Sequence, residues 1–184
     1  MSIVLVLAGL AVLHAAVIFV LLSLPLETWK DTRFYTRLVV MFDPASVLRP
    51  FEPLLDGAVL ANDGYSTAAQ LSFHTKRNVP VFGPGSVYGR HDDIVTDWRT
   101  YQGRDFVIQR RNEPAPAEYR PYFRSVEVRR IEARGAAYYA VLGRGFDYAA
   151  YREGVLKPVR ERWYRIPPAL PVGRCYFFER YGLQ

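Results

Sequence analysis

The chain has 184 residues, a length typical of one domain of ordinary size, and 50% of them are apolar whereas 23% are charged. It carries 24 basic and 18 acidic residues, giving a net charge of +6, but the two kinds are interleaved along the chain. This interleaving argues against a nucleic-acid-binding arm, which would need a dense basic run. The single cysteine, Cys175, excludes an internal disulfide and a cysteine-based metal cage.

The first predicted element is a transmembrane helix. Only His14 and Ser23 are polar in the apolar run from Ile3 to Leu26. About 20 apolar residues span the hydrocarbon core of a bilayer, so we predict a single-pass helix over residues 1–28 and a location in the cell membrane. A secretory signal peptide is the alternative, but the run is longer than the usual apolar region and no basic residue precedes it.

A proline-containing connector is predicted over residues 29–56. Its basic residues Lys30, Arg33 and Arg37 flank the apolar run, so the positive-inside rule favours a cytoplasmic location for the rest of the chain. A long helix is excluded here by three prolines: Pro44, Pro50 and Pro53. The following residues, 57–184, are predicted to form a soluble domain.

For this domain we predict a small, three-layer-like α/β fold with a mixed sheet. Residues 58–61 form a short apolar run typical of a buried strand, and residues 65–76 show helical spacing. The helical pattern predicts that Ala69 and Phe73 share a face with Ala68. Residues 79–82 predict a second, parallel strand, in which Pro80 indicates an edge strand or the first paired position, and this strand completes a compact βαβ unit.

The rest of the domain is predicted to be richer in loops and strands than in helices. In chain order we expect a loop over 83–103 rich in glycine, aspartate and aromatics, a strand over 104–110 and a proline-rich loop. A hairpin of strands 123–134 and 136–142 about Gly135 follows. The chain then continues into a helical stretch over 148–165, broken at Pro158, and an irregular tail.

Candidate ligand-binding residues follow the predicted strands. Ligands of open α/β sheets bind outside the carboxyl ends of the strands, which is where the turn after the first strand lies. Helix capping by Asn62 or Asp63 is the structural alternative for that turn. The aromatic loop supplies further candidates, and together the candidates are Asn62, Asp63, Tyr65, Tyr88, Asp97 and Trp98.

Known catalytic and cofactor patterns do not match this chain. Gly83-Pro84-Gly85 has the wrong spacing for a phosphate loop, and Ser66 lacks the context of a nucleophile elbow. His91 and the aspartates after it could bind a divalent cation, but a solvated acidic loop is the simpler interpretation. We therefore expect no cofactor and no metal, and we assign no catalytic residue.

Three stretches carry a resemblance to a known family. They are VLANDGYSTAAQLSFHTKRNVPVF at 59–82, the pair Asp97-Trp98 followed by GRDFVIQRR at 103–111, and RGFDYAAYREGVLKPVRERW at 144–163. Together they resemble the C-terminal region of bacterial polyprenyl-phosphate-sugar glycosyltransferases, glycosyltransferase family 39, which includes protein mannosyltransferases and the aminoarabinose transferase of lipid A. The inserted Gly64 departs from the family pattern.

This resemblance implies a lipid-phosphate-linked sugar, a polytopic membrane glycosyltransferase subunit as partner, and an extracytoplasmic position for the soluble domain. The family's catalytic acidic residue has no counterpart here, so the expected protein is a membrane-anchored domain that lacks the catalytic helices and is inactive alone. The alternative is a stand-alone anchored protein that contacts membrane lipid and binds a glycolipid or cell-envelope polymer through the aromatic loop 86–101.

Overall fold

The structure is a computed structural model that describes residues 3–87, 90–171 and 173–183. It divides into two compact units, Met1–Tyr35 and Thr36–Gln184. The first unit contains helix α1 (Ile3–Ser23) and a 3₁₀ turn, Leu26–Trp29. Among the described residues, α1 is the one helix long and apolar enough to cross a membrane.

The second unit is built on a mixed four-stranded sheet, so the predicted α/β fold with a mixed sheet is confirmed. Its strands are β1 (Val59–Asn62), β2 (Phe106–Arg110), β3 (Phe123–Ala133) and β4 (Ala136–Phe146). They lie in the order β1-β2-β4-β3. The pair β1–β2 is parallel, whereas β2–β4 and β3–β4 are antiparallel.

The β3–β4 hairpin forms about Gly135 as predicted. Its two-residue turn places both Arg134 and Gly135 at positive φ, 50° and 70°, the combination that a type I′ turn requires. Ala133 pairs with Ala136 directly beside this turn. Strand β4 runs four residues beyond the predicted end, to Phe146, and pairs there with Phe123.

The predicted second strand is reduced to a single parallel bridge between Asn62 and Val81. The Asn62 N–H donates to the Pro80 carbonyl over 3.1 Å, and the Phe82 N–H donates to the Asn62 carbonyl over 2.8 Å. Pro80 has no N–H for a further pairing step. The chain then turns away at Gly83, where φ is 93°.

Helix α4 (Tyr65–Thr75) connects β1 to this bridge. It buries Thr67, Ala68 and Leu71, whereas Ala69 and Phe73 are exposed. The predicted buried face of α4 was therefore wrong, because it was displaced by about one residue along the helix. The three buried residues follow the three- and four-residue spacing of a helix face that covers the sheet.

The two faces of the sheet have different cores. One face is covered by aromatic rings, with Trp98 and Tyr151 at 4.5 Å between centroids and Phe106 and Phe146 at 5.2 Å. Such pairs contribute about 0.5–1.5 kcal/mol each beyond their buried area. The opposite face carries α4 and the former connector, which folds into α2 (Tyr35–Phe42), α3 (Pro44–Leu48) and a 3₁₀ helix, Arg49–Leu54.

The C-terminal part is more helical than predicted. Helix α6 (Tyr148–Tyr151) continues through a π-helical turn (Arg152–Leu156) into α7 (Lys157–Trp163). Pro158 does not break the helix, because it lies in the first turn of α7 and the wider π turn precedes it. The predicted loop and irregular tail contain two more short helices: α5 (Asp92–Val95) and α8 (Tyr176–Tyr181).

Candidate functional site: a groove at the carboxyl ends of the parallel strands

A groove of about 540 Å³ opens at the carboxyl ends of β1 and β2. Its walls are residues 83–85, three residues between 118 and 122, the middle of the π-helical turn and the start of α7. This is where open α/β sheets place their ligands, and the volume lies in the range of small-molecule sites, roughly 300–1,000 Å³.

Three charged side chains form the polar floor of the groove. The parallel register pairs Asn62 with Gln109. Asp63 and Arg110 directly follow these two residues, so they lie side by side at the carboxyl ends of β1 and β2. Arg110 Nε lies 2.9 Å from an Asp63 carboxylate oxygen, and Arg110 Nη1 lies 3.7 Å from Glu118. Arg110 Nη1 also donates to the Tyr119 hydroxyl. We call Asp63, Arg110, Glu118 and Tyr119 the open cluster.

The open cluster has unused hydrogen-bonding capacity. The carboxylates of Asp63 and Glu118 are 40% and 57% exposed. Arg110 Nε contacts Asp63 as an ion pair, but within the described residues it makes no hydrogen bond of good geometry. A ligand in the groove would therefore meet two exposed carboxylate acceptors, whereas Arg110 Nε is itself buried behind them.

Aromatic rings form the apolar side of the groove. Phe82 stacks on Tyr119 with 5.7 Å between ring centroids, and the Tyr122 ring meets Phe82 edge-on at 6.1 Å. Burial raises the pKa of both tyrosines, so each keeps its hydroxyl proton at neutral pH. Phe82 and Tyr119 are only 4% and 3% exposed, so the partly buried Tyr122 offers the ring surface and hydroxyl group that a ligand could contact.

The loop wall of the groove is held by residues behind it. Arg90 Nη1 donates to the carbonyls of Pro84 and Ser86 over 3.2 and 3.0 Å. Gly85 has φ of 58°, and a Cβ added there would lie 2.7 Å from the Tyr65 ring. Glycine is therefore needed at this position, and Tyr65 supports the wall from outside.

A second ionic cluster anchors that wall. Arg90 pairs through Nε with Asp93, and the Tyr164 hydroxyl donates to the same carboxylate over 2.7 Å. The side chains of Arg90 and Asp93 are only 12% and 7% exposed. Burial, reinforced by the hydrogen bond to Asp93, raises the pKa of Tyr164 well above its usual range. We call Arg90, Asp93 and Tyr164 the sealed cluster.

Asn62, the first predicted site residue, is buried at 1% exposure and holds the turn after β1. Its amide nitrogen donates to the Gln109 carbonyl over 2.7 Å and to the Gln109 side-chain oxygen, while its own oxygen accepts from the Gly64 N–H over 2.9 Å. Neither Asn62 nor Asp63 caps α4, because the N-cap is Gly64 and no side chain caps it.

The residues predicted from the aromatic loop lie away from the groove floor. Asp97 pairs with Arg99 at 2.7 Å and caps the 3₁₀ helix Trp98–Tyr101. Trp98 is 2% exposed and stacks on Phe106 at 6.2 Å between centroids, so it belongs to the aromatic core and its ring is not open to a ligand. Tyr88 lies outside the described residues. Among the predicted residues that are described, Asp63 lines the groove.

The polar and aromatic groove residues that sequence reasoning missed include Arg110, Glu118, Tyr119 and Tyr122. Arg110 ends a predicted strand, and a parallel pairing of that strand with β1 would have placed it beside Asp63. The other three lie in the proline-rich loop, whose folding back onto the groove has no local signal in the sequence.

Metal-binding side chains do not converge in the described residues, which contain no group of three or more His, Cys, Asp or Glu positioned to hold an ion.

Comparisons with known proteins give no match, whether to family models, curated proteins or solved structures.

Proposed function

We propose that this chain is a membrane-anchored saccharide-recognition domain that belongs to a lipid-linked-sugar glycosyltransferase, as the C-terminal region of that enzyme does in the family the sequence resembles. The observation that supports saccharide recognition is the groove, in which the carboxylates of the open cluster lie beside the partly buried ring of Tyr122. Sugars need this combination, because their hydroxyl groups both donate and accept while one face of the ring is apolar.

The charge of the groove favours the sugar over its phosphate. The described lining carries two carboxylates and one guanidinium, a local charge of about −1 in a chain of net charge +6. Arg110 is already neutralised by Asp63. A phosphate placed between Asp63 and Glu118 would be repelled, so we propose that the groove holds a neutral sugar ring and that the lipid phosphate stays outside it.

The chemical step is not assigned to this groove. In this proposal the membrane-embedded part of the glycosyltransferase supplies the catalytic acid, and the domain orients the sugar or its acceptor.

We also propose an extracytoplasmic orientation, which follows the resemblance and opposes the positive-inside count. Fusion of alkaline phosphatase to the C-terminus tests the orientation, because that reporter is active only outside the cytoplasm; an inactive fusion beside an active cytoplasmic reporter would reverse it.

A stand-alone glycolipid- or polymer-binding protein is the second candidate function. The observation in its favour is that every described residue lining the groove lies in the second unit, so these walls come from one part of one chain. Binding of saccharide by the purified chain alone fits both candidates, whereas loss of sugar transfer in cells that carry a groove variant fits the first candidate only.

The test of the groove is a titration of the full chain in detergent with a polyprenyl-phosphate sugar and with free oligosaccharides. We expect Arg110→Met to weaken binding at least about tenfold, equivalent to about 1.4 kcal/mol. The matched control is Arg130→Met, which removes an arginine paired with Glu132 at 2.8 Å on the exposed face of β3. Equal affinities of the two variants, or no binding of any saccharide by the parent chain, would contradict the proposal.

A further inference from the structure

Helix α2 buries one apolar face and carries further apolar side chains that are exposed. Val39 and Val40 on its inner side are 0% and 1% exposed. Met41 and Phe42, on its outer side, are 53% and 56% exposed. Neighbouring exposed apolar side chains on a surface helix are typical of an interaction site.

Helix α2 is fixed to the sheet at both ends. The Tyr138 hydroxyl on β4 donates to the Thr36 carbonyl over 2.8 Å. Directly after the helix, Asp43 accepts from Arg134 of the hairpin turn over 2.7 Å. Any surface that binds the outer face of α2 would therefore also fix the orientation of the sheet and its groove.

The sequence around α2 indicates what that surface is. Between Thr28 and Phe42 the chain has the basic residues Lys30, Arg33 and Arg37 against a single acidic residue, Asp31. Arg37 lies one turn before Met41 on α2 and is exposed. Basic side chains beside exposed apolar ones are the pattern of a helix that lies in the headgroup region of an anionic bilayer.

The segment between α1 and α2 is short. Residues 24–34 separate the two helices. Eleven residues reach at most about 40 Å when fully extended. A segment of this length permits α2 to reach the headgroup region when α1 spans the bilayer.

We infer that the outer face of α2, formed by Arg37, Met41 and Phe42, docks on the headgroup region of an anionic membrane and thereby orients the soluble unit. Met41 and Phe42 enter the interface, and Arg37 contacts lipid phosphate. This surface is separate from the groove, and its failure would leave the saccharide proposal untouched.

The test places a polarity-sensitive fluorophore at Phe42→Cys in a Cys175→Ser background, with the full chain reconstituted into phosphatidylcholine vesicles with and without phosphatidylglycerol. The control probe is Ile94→Cys on α5, a residue of nearly equal exposure, 55%. We expect the Phe42 probe to emit at shorter wavelength and to be quenched several-fold more than the Ile94 probe by lipid spin-labelled near its headgroup, most strongly with phosphatidylglycerol.

Substitution of Met41 by Ser in the same labelled chain should reduce that quenching by at least half while leaving the circular dichroism spectrum unchanged. Equal quenching of the two probes would overturn the inference. A Phe42 probe that is shielded from water but not quenched by lipid would also overturn it, because a second copy or another protein would then cover the helix.

Discussion

The open and sealed clusters are built from the same residue types, an arginine, aspartate and tyrosine, yet they differ in their access to water. In the sealed cluster, Arg90 and Asp93 are about nine-tenths covered and Tyr164 completes the hydrogen bonding. In the open cluster, Asp63 and Glu118 keep large exposed fractions. The sealed cluster can serve structure alone, whereas the open cluster can exchange partners with a ligand.

The two clusters are linked through one loop. Arg90 of the sealed cluster donates to the backbone at Pro84 and Ser86, and the same loop forms the wall that faces Asp63 and Arg110. Burial therefore decides the role of each ion pair. A buried pair fixes the shape of the groove, and an exposed pair of the same chemistry provides the groups that a sugar would contact.

The largest expected effect is on the sealed cluster. Asp93→Ala leaves the nearly buried Arg90 without its carboxylate, and removal of one partner of a buried pair costs about 3–5 kcal/mol in the free energy of unfolding. Urea unfolding in mild detergent, followed by near-UV circular dichroism, measures this cost. The matched variant in the open cluster, Asp63→Ala, should cost under about 1 kcal/mol; equal costs would remove the distinction between the clusters.

The second effect concerns the turn that leads into the open cluster. Asn62→Ala leaves the Gly64 N–H and the Gln109 side chain without their partner, which should lower the free energy of unfolding by about 1–3 kcal/mol. It should also weaken saccharide binding, because Asp63 directly follows. Asn78→Ala is the control, since that side chain is exposed and its hydrogen bonds to Thr96, over 3.2 Å, and to Tyr101 lie outside the turn. A stable Asn62→Ala variant with unchanged binding would show that the turn does not position Asp63.

The third effect separates binding from stability. Glu118→Gln keeps the shape of an exposed side chain, so the free energy of unfolding should change by less than about 0.5 kcal/mol. Sugar affinity should fall about fivefold, equivalent to about 1 kcal/mol, through loss of a charged acceptor. Glu132→Gln on β3 removes an equally exposed carboxylate outside the groove and should alter neither quantity. Calorimetric titration and thermal unfolding of both variants check this.

The smallest effect is a pH dependence at the amino end of β2, the end opposite the groove. The hydrogen bond from Arg144, with a further bond from the Gly145 N–H, holds the pKa of Asp105 below its ordinary value of 3.8. A lowered carboxyl pKa stabilises the folded chain above 3.8, and this contribution is lost as the pH falls through the folded-state pKa.

Thermal unfolding between neutral pH and pH 3 should therefore show a shallower acid decline for Asp105→Asn than for the parent chain. Sugar binding at neutral pH should not change, since this pair is remote from the open cluster. Parallel acid declines in the two proteins would show that the Asp105–Arg144 pair contributes no pH-dependent stability.

Local patterns were sufficient to predict the elements whose form is set by neighbouring residues. The hairpin about Gly135, the first strand and the helix after it follow from the spacing of apolar residues and from the turn-forming residues between them. The role of Trp98 depended on distant residues instead, because the rings that surround it come from other parts of the chain. The prediction that Pro158 breaks the helix was wrong for a similar reason. The general rule that proline interrupts a helix does not predict the π-helical turn that accommodates it here.

Sequence reasoning found one partner of the ion pair in the groove but not the other. Asp63 was found because it follows a strand, but its partner Arg110 could be placed beside it only once β2 was known to pair in parallel with β1. Glu118 and Tyr122 come from a loop without periodicity, so their approach to the groove is a tertiary result. The sequence therefore predicts which edge of the sheet is used but not which side chains meet there.

Saccharide recognition by the groove is tested most directly by photo-crosslinking. A lipid-linked sugar that carries a diazirine on its sugar ring would be irradiated with the full chain in vesicles, and the adducts would be mapped by peptide mass spectrometry. We predict adducts on residues 82–85 and 118–122, lost in Arg110→Met and retained in Arg130→Met. Adducts confined to other segments, or equal yields from the two variants, would contradict the account.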